Sequence, residues 1–194
     1  MHSSWEILDW GDVSMLIILD RDGVINHESV EYVKSSAEWI PIAGSLAAIA
    51  RLTQGGHRVV VATNQAGVGR GYYSLATLHD IHETLRRRLI AQGGWVEGIY
   101  YCPHTPDDQC DCRKPKPGLL QAIARDYPRL FSQAIFIGDS WRDVEAARAA
   151  GIQPLLVRTG YGEESLARDT CQSVLAFADL AAAVDYLLQN LHTR

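Results

Sequence analysis

Five short apolar runs punctuate the chain, and polar residues follow each of them. They read MLIILD (15–20), RVVVATN (58–64), VEGIYY (96–101), AIFIGD (134–139) and QPLLVRTG (153–160). Runs rich in Val, Ile and Leu with little polar alternation are typical of strands covered on both sheet faces. Helix-like segments separate them: AGSLAAIARLTQGG (43–56), SLATLHDIHETLRRRLIAQGG (74–94), PGLLQAIARDY (117–127) and DVEAARAAG (143–151), with LAAAVDYLLQN (180–190) closing the chain. Their ends are marked by Ser74 as an N-cap, Pro117 at a helix start and Gly151 as a stop. This order predicts an α/β fold, a three-layer doubly wound parallel sheet. With no repeat and no low-complexity linker, a single domain is expected over 14–194, behind a polar N-terminal extension at 1–13.

In open sheets of this kind, ligands bind beyond the carboxyl ends of the strands, near a topological switch point. The polar residues of this chain gather at those ends: Asp20 and Asp22, then Thr63 and Asn64, then Cys102 to Lys114, then Asp139. Composition narrows the partners. The chain has 47% hydrophobic and 21% charged residues, an ordinary globular balance. Its net charge of −5 does not suggest a surface for tracking nucleic acid. The longest apolar run falls far short of the roughly 20 residues that span a bilayer. The N-terminus lacks the basic-then-apolar order of a secretory signal. The expectation is a cytoplasmic protein without a nucleic-acid or membrane partner.

Two clusters carry chemistry. In LDRDGVIN, Asp20 and Asp22 stand two apart where Gly23 allows a sharp turn. One carboxylate can attack phosphorus while the other protonates the leaving oxygen; DRDG can also be a plain polar turn. Two acids this close repel, so a divalent cation or a shared proton is expected beside them. In CPHTPDDQCDCRKPKPG (102–118), Cys102, His104, Cys110 and Cys112 offer the thiolate and imidazole set of a closed structural zinc site. The loop has no apolar anchor of its own, and a metal would order it. Cys171 stands alone and reads as a buried or idle thiol, while His79, His82 and Glu83 on one helix are not read as a metal site. TNQAGVGRGYYS (63–74) lacks the full dinucleotide fingerprint and a helix directly after it. It reads as a loop that brings backbone N–H groups to phosphate.

In order, LDRDGVIN, VVVATNQ, RKP and FIGDSWRDVEAA resemble the four motifs of the haloacid dehalogenase superfamily of phosphotransferases. The glycine stretch and the cysteine loop are similar to those of the bacterial D-glycero-D-manno-heptose-1,7-bisphosphate 7-phosphatases and the related histidinol phosphatases. The glycine stretch alone also resembles the phosphatase domain of polynucleotide kinase/phosphatases. The resemblance implies a Mg²⁺-dependent phosphatase working through an aspartyl-phosphate on Asp20, with Asp22 as general acid and then base. Thr63 and Lys114 would hold the phosphoryl oxygens. Mg²⁺ would be bound by Asp20, the backbone carbonyl of Asp22, and Asp139, with Asp143 either assisting or simply an acid in a helix's first turn. Zn²⁺ would be structural and would deliver Arg113 and Lys114 to the phosphate.

The gaps between motifs leave no room for a cap domain, so loops would roof the site. Asn64, Gln65, Arg113 and, from the loop after the first motif, Glu28, Ser29, Val30 and Glu31 are the candidate substrate contacts. The expected reaction is removal of the 7-phosphate from a heptose 1,7-bisphosphate, toward nucleotide-activated heptose for lipopolysaccharide or another surface polysaccharide. The enzyme would act on this small sugar phosphate as a monomer. The alternatives are histidinol-phosphate hydrolysis, nucleic-acid 3′-phosphate removal, and a zinc-organised module without catalysis. One departure stands out: Ser140 follows Asp139 where the heptose pattern has Lys.

Overall fold

In the computed structural model, which describes residues 14–191, the apolar runs become a six-stranded, all-parallel sheet. The extension expected at 1–13 lies outside the described residues. The strands are β1 (Leu16–Leu19), β2 (Arg58–Asn64), β3 (Gly98–Cys102), β4 (Ile135–Gly138), β5 (Gln153–Val157) and β6 (Ala176–Phe177), in spatial order β3-β2-β1-β4-β5-β6. The helices are α1 (Ser45–Gln54), α2 (Ala66–Gly69), α3 (Leu75–Ala91), α4 (Gly118–Asp126), α5 (Trp141–Ala149), α6 (Gly162–Leu166) and α7 (Leu180–Leu191).

The period of two along each strand divides the core. From β1, Ile17 and Leu19 face one side with Val59, Val61, Ile135 and Ile137, under α1, α3 and α7. Leu16 and Ile18 face the other with Val60, Ala62 and Phe136, against α4 and α5. These are the three layers expected from the pattern. The chain runs outward through β1, β2 and β3, then returns to place β4 beside β1. That reversal opens a crevice between the carboxyl ends of β1 and β4. Asp20 and Asp139 are the next residues past those two strands.

Three short elements escaped the sequence pattern: β6, α2 and α6. Two to five residues cannot display a period of their own. α5 starts at Trp141, earlier than expected, because Ser140 caps it by accepting from the Arg142 amide. Ser74 does cap α3, accepting from the Thr77 amide at 3.0 Å. Ile18→Ala would leave a cavity in the central strand, fully buried in the wild type. It is expected to lower the unfolding free energy by about 2–5 kcal/mol, measured by urea denaturation.

Candidate active site

Asp20 has both oxygens engaged. Oδ1 accepts from the Arg21 amide at 2.7 Å, and Oδ2 lies 2.9 Å from the Lys114 ammonium. Lys114 enters from the loop after β3 and is 2% exposed. Its Nζ meets Asp143 Oδ1 at 2.6 Å, donates to the Ala62 carbonyl at 2.8 Å, and lies 5.2 Å from the centre of the Phe136 ring. Burial opposes the charge on Lys114, yet Asp143 and Asp20 hold its pKa above the ordinary lysine value.

Asp20, Asp139 and Asp143 each place a carboxylate oxygen within 4.8 Å of the others. Burial pushes Asp20 up to about 7 against the pull of Lys114, and Asp143 adds to the rise. Burial, then Asp143 and Asp20, push Asp139 well above the usual carboxylate range. Lys114 pairs with Asp20 and Asp143, and Asp139 adds a third carboxylate beside them, so the cluster is short of positive charge. A hard divalent cation with oxygen ligands would supply it. Glycine keeps the space open. A Cβ on Gly23 or on Gly160, both at positive φ, would collide with Asp139 Oδ2. Asp143 also serves the backbone, since its Oδ2 accepts from the Ser140 amide at 3.0 Å and closes the cap of α5. It is an acid in the first turn of α5, as one of its two sequence readings had it, and it also braces Lys114.

The Asp22 carboxylate stands apart from this cluster. Arg21 Nη2 donates to both of its oxygens at 2.9 Å, Asn26 Nδ2 to Oδ1 at 2.8 Å and Gln65 Nε2 to Oδ2 at 2.9 Å. Burial works the other way, but Arg21, Asn26 and Gln65 together hold its carboxyl below the usual range. Gln65 Nε2 also donates to Thr63 Oγ1, which ties Asp22 to the end of β2. Arg21 Nη1 reaches His82 Nε2 at 3.3 Å, and burial followed by Arg21 brings His82 down to about 3, leaving a neutral ring.

The cysteine loop begins at the buried end of β3. Cys102 Sγ lies 3.6 Å from His104 Nδ1 and from Cys110 Sγ, and 3.2 Å from Cys112 Sγ; Cys112 Sγ lies 3.3 Å from His104 Nδ1 and 3.5 Å from Cys110 Sγ. A tetrahedron with Zn–S near 2.3 Å and Zn–N near 2.0 Å has edges of about 3.5–3.8 Å. The four donors fit that frame with slight compression, and all three thiols are free.

The chain is similar to several known proteins. A family model described as HAD-hydrolase-like matches residues 111–183. The D-glycero-β-D-manno-heptose-1,7-bisphosphate 7-phosphatase of Pseudomonas putida is 54% identical over 89% of this chain and 99% of its own length. That of Pseudomonas aeruginosa is 55% identical over 90% and 98%. A crystal structure of D,D-heptose 1,7-bisphosphate phosphatase from B. bronchiseptica, complexed with magnesium and phosphate, is 50% identical, with a TM-score of 0.88 over 90% of this chain and 98% of that one. The chain belongs to the heptose-bisphosphate 7-phosphatase family of HAD-like phosphatases.

In this family member the pocket around Asp20 measures about 290 Å³. Of the residues expected to contact substrate, Asn64, Gln65, Arg113, Glu28, Ser29 and Val30 line it. Glu31 does not: its side chain is 82% exposed and pairs with Lys34 at 3.5 Å. Asn64 and Gln65 line the wall with their amides committed inside the protein. Asn64 bonds both the N–H and the C=O of Lys114 at 3.1 Å, and Gln65 also accepts from the Tyr73 hydroxyl. The glycine stretch is corrected too. It folds directly into α2, and its amides at Val68, Gly69, Arg70 and Gly71 bond backbone carbonyls rather than face a ligand. Its glycines serve packing: a Cβ on Gly67 would strike Tyr73, and one on Gly69 would lie 2.7 Å from the Pro103 carbonyl. The sequence reading passed over Arg21, Arg142 and Tyr161, which also line the pocket. Arg21 within DRDG and Arg142 within FIGDSWRDVEAA both lay inside quoted motifs, whereas Tyr161 carried no such signal. Gly160→Ala would force a Cβ at φ +57° into Asp139 and to 2.7 Å from Gly23 Cα. It is expected to cost about 1–2 kcal/mol of stability and, by displacing Asp139, about 100-fold in phosphatase kcat/KM.

Proposed function

We propose that the chain hydrolyses the 7-phosphate of D-glycero-β-D-manno-heptose 1,7-bisphosphate, as a monomeric cytoplasmic enzyme on the route to nucleotide-activated heptose. The observation that carries this reading is the buried cluster of Asp20, Asp139 and Asp143 around Lys114, in a chain 54–55% identical to phosphatases named for that substrate. The pocket volume suits a sugar phosphate rather than a polymer. Among the described residues, no helix is long and apolar enough to cross a membrane. The whole of 14–194 is taken as one phosphatase domain.

Asp20 is the nucleophile. Its carboxylate, held by the Arg21 amide and Lys114, attacks phosphorus as the bond from phosphorus to the sugar oxygen breaks. Asp22, held as a carboxylate in this arrangement, would take up a proton as the anionic substrate enters and give it to that departing oxygen, which leaves an aspartyl-phosphate. Asp22, now a base, takes a proton from water, and the water oxygen displaces Asp20 and releases phosphate. Thr63 donates to the phosphoryl oxygens, and Lys114 offsets the charge shifting onto them from its place beside Asp20. Asp20, Asp139 and the backbone carbonyl of Asp22 would hold Mg²⁺, which when bound neutralises the carboxylates and the phosphoryl oxygens. Glu28, Ser29, Val30 and Arg113 would hold the rest of the sugar bisphosphate. Cys102, His104, Cys110 and Cys112 would hold Zn²⁺ and order the loop that leads to Arg113.

Asp20→Asn is expected to lower kcat by at least about 10⁴-fold while the melting temperature stays within a few degrees of wild type. Assayed side by side with Mg²⁺, the β-heptose bisphosphate should exceed histidinol phosphate in kcat/KM by about 100-fold or more. A preference for histidinol phosphate would sink the substrate assignment. Cys112→Ser is expected to lose bound zinc, measured by metal analysis, and about tenfold in kcat/KM, more through KM than through kcat.

A further inference from the structure

Arg21 touches both acids of the site. Its main-chain N–H donates to Asp20 Oδ1 at 2.7 Å. Its guanidinium forks onto Asp22, with Nε to Oδ1 at 3.1 Å and Nη2 to both oxygens at 2.9 Å. The side chain is 1% exposed. A fourth N–H is used as well: Nη1 lies 3.3 Å from His82 Nε2. Arginine has no acceptor, so the imidazole must accept through Nε2 and keep its proton on Nδ1. His82 is itself buried on α3, with its ring 5.7 Å from that of Tyr101 at the end of β3. A connected set of contacts therefore runs from Tyr101 through His82 and Arg21 to Asp22.

We propose that Arg21, buttressed by His82, is the positioning residue for proton transfer by Asp22. The inference rests on the reading of Asp22 as the acid and base. Asn26 gives one hydrogen bond to Oδ1 and Gln65 one to Oδ2, while Arg21 supplies the other three of the five side-chain bonds to this carboxylate. The planar fork of Arg21 defines both its place and its plane. Lysine could not substitute, because a point charge does not orient a carboxylate.

The two halves of Arg21 can be separated by experiment. Arg21→Met removes the fork but keeps the backbone N–H on Asp20, so the nucleophile remains placed. A primary alkyl phosphate needs a proton on its leaving oxygen. p-Nitrophenyl phosphate does not, since its leaving group is a stable anion at neutral pH. The test is the ratio of kcat/KM for the heptose bisphosphate to that for p-nitrophenyl phosphate. In Arg21→Met this ratio is expected to fall about 30- to 100-fold. His82→Phe keeps the ring volume but not the acceptor, and should lower the ratio by a smaller factor. His82→Gln, with an acceptor restored, should return it toward wild type. If Arg21→Met is unstable, the two His82 variants decide the matter alone. Equal losses on both substrates, or no loss on either, would overturn the proposal and leave Arg21 a structural ion pair. Asp22→Asn is the control for the reading beneath it. If that variant leaves the ratio unchanged, Asp22 is not the acid. If it collapses the ratio while Arg21→Met does not, only the positioning role fails.

Discussion

The structure turns on one buried ammonium. Lys114 joins Asp20 after β1, the Ala62 carbonyl on β2, Asp143 in the first turn of α5, and the ring of Phe136 on β4. Few side chains touch so many elements of a fold. A buried ion pair gains little net stability over apolar packing, yet losing one partner leaves an unpaired charge that costs about 3–5 kcal/mol. The site is thereby locked in place: each group tolerates burial only because the others are present. The negative excess that remains, three carboxylates against one ammonium, prepares the cluster for a cation and for a phosphoryl group whose charge it must manage.

Glycine makes the crowding possible. Gly23, Gly138 and Gly160 surround the cluster, and a Cβ at any of them would strike the carboxylate of Asp139 or Asp143. Gly23 and Gly160 are also at positive φ, the region most side chains avoid. Their absence of side chain lets the loop after β1 and the turn after β5 close over Asp139, with Thr159 Oγ1 donating to the Gly23 carbonyl at 2.6 Å. The acids therefore lie at the bottom of a pocket rather than on an open sheet end, where water would weaken every interaction among them.

Much of this was legible because strands announce themselves by composition and the chemistry follows at their ends. Asp20, Thr63 and Asp139 stood out by their place at strand ends, and Lys114 by the resemblance of RKP to a family motif. What escaped was side-chain direction. Asn64 and Gln65 follow Thr63 in every pattern that marks the strand end, but only coordinates reveal their amides turned onto Lys114 and Asp22. Glu31 was grouped with Glu28 by the family likeness, but a turn at Val30 and Glu31, closed by the Tyr32 N–H on the Ser29 carbonyl at 3.0 Å, carries Glu31 away from the pocket. Asp143 divided two readings, metal helper or first-turn acid, and the structure gives it parts of both settings: it caps α5 and faces the ammonium. Short elements such as α2 and β6 are tertiary products, made where packing and not local pattern decides.

The cysteine loop acts on the site by an indirect route. Cys112 precedes Lys114 by two residues, which suggests that a metal in the loop would place the lysine. But Lys114 carries a second anchor: Asn64 grips its backbone N–H and C=O, and Nζ is held by three further oxygens. A loosened loop would have to break all of these to displace it. Arg113 is braced from within the loop instead, its carbonyl accepting from the Lys116 N–H at 2.9 Å. Its Nη1 donates to the carbonyl of His104 at 3.3 Å, which belongs to the cysteine loop itself. Disorder introduced at the thiolates would therefore reach Arg113 before it reaches Lys114. The loop's order bears on the grip of the substrate more than on the chemistry at phosphorus, because the two neighbouring cations are anchored to different parts of the molecule.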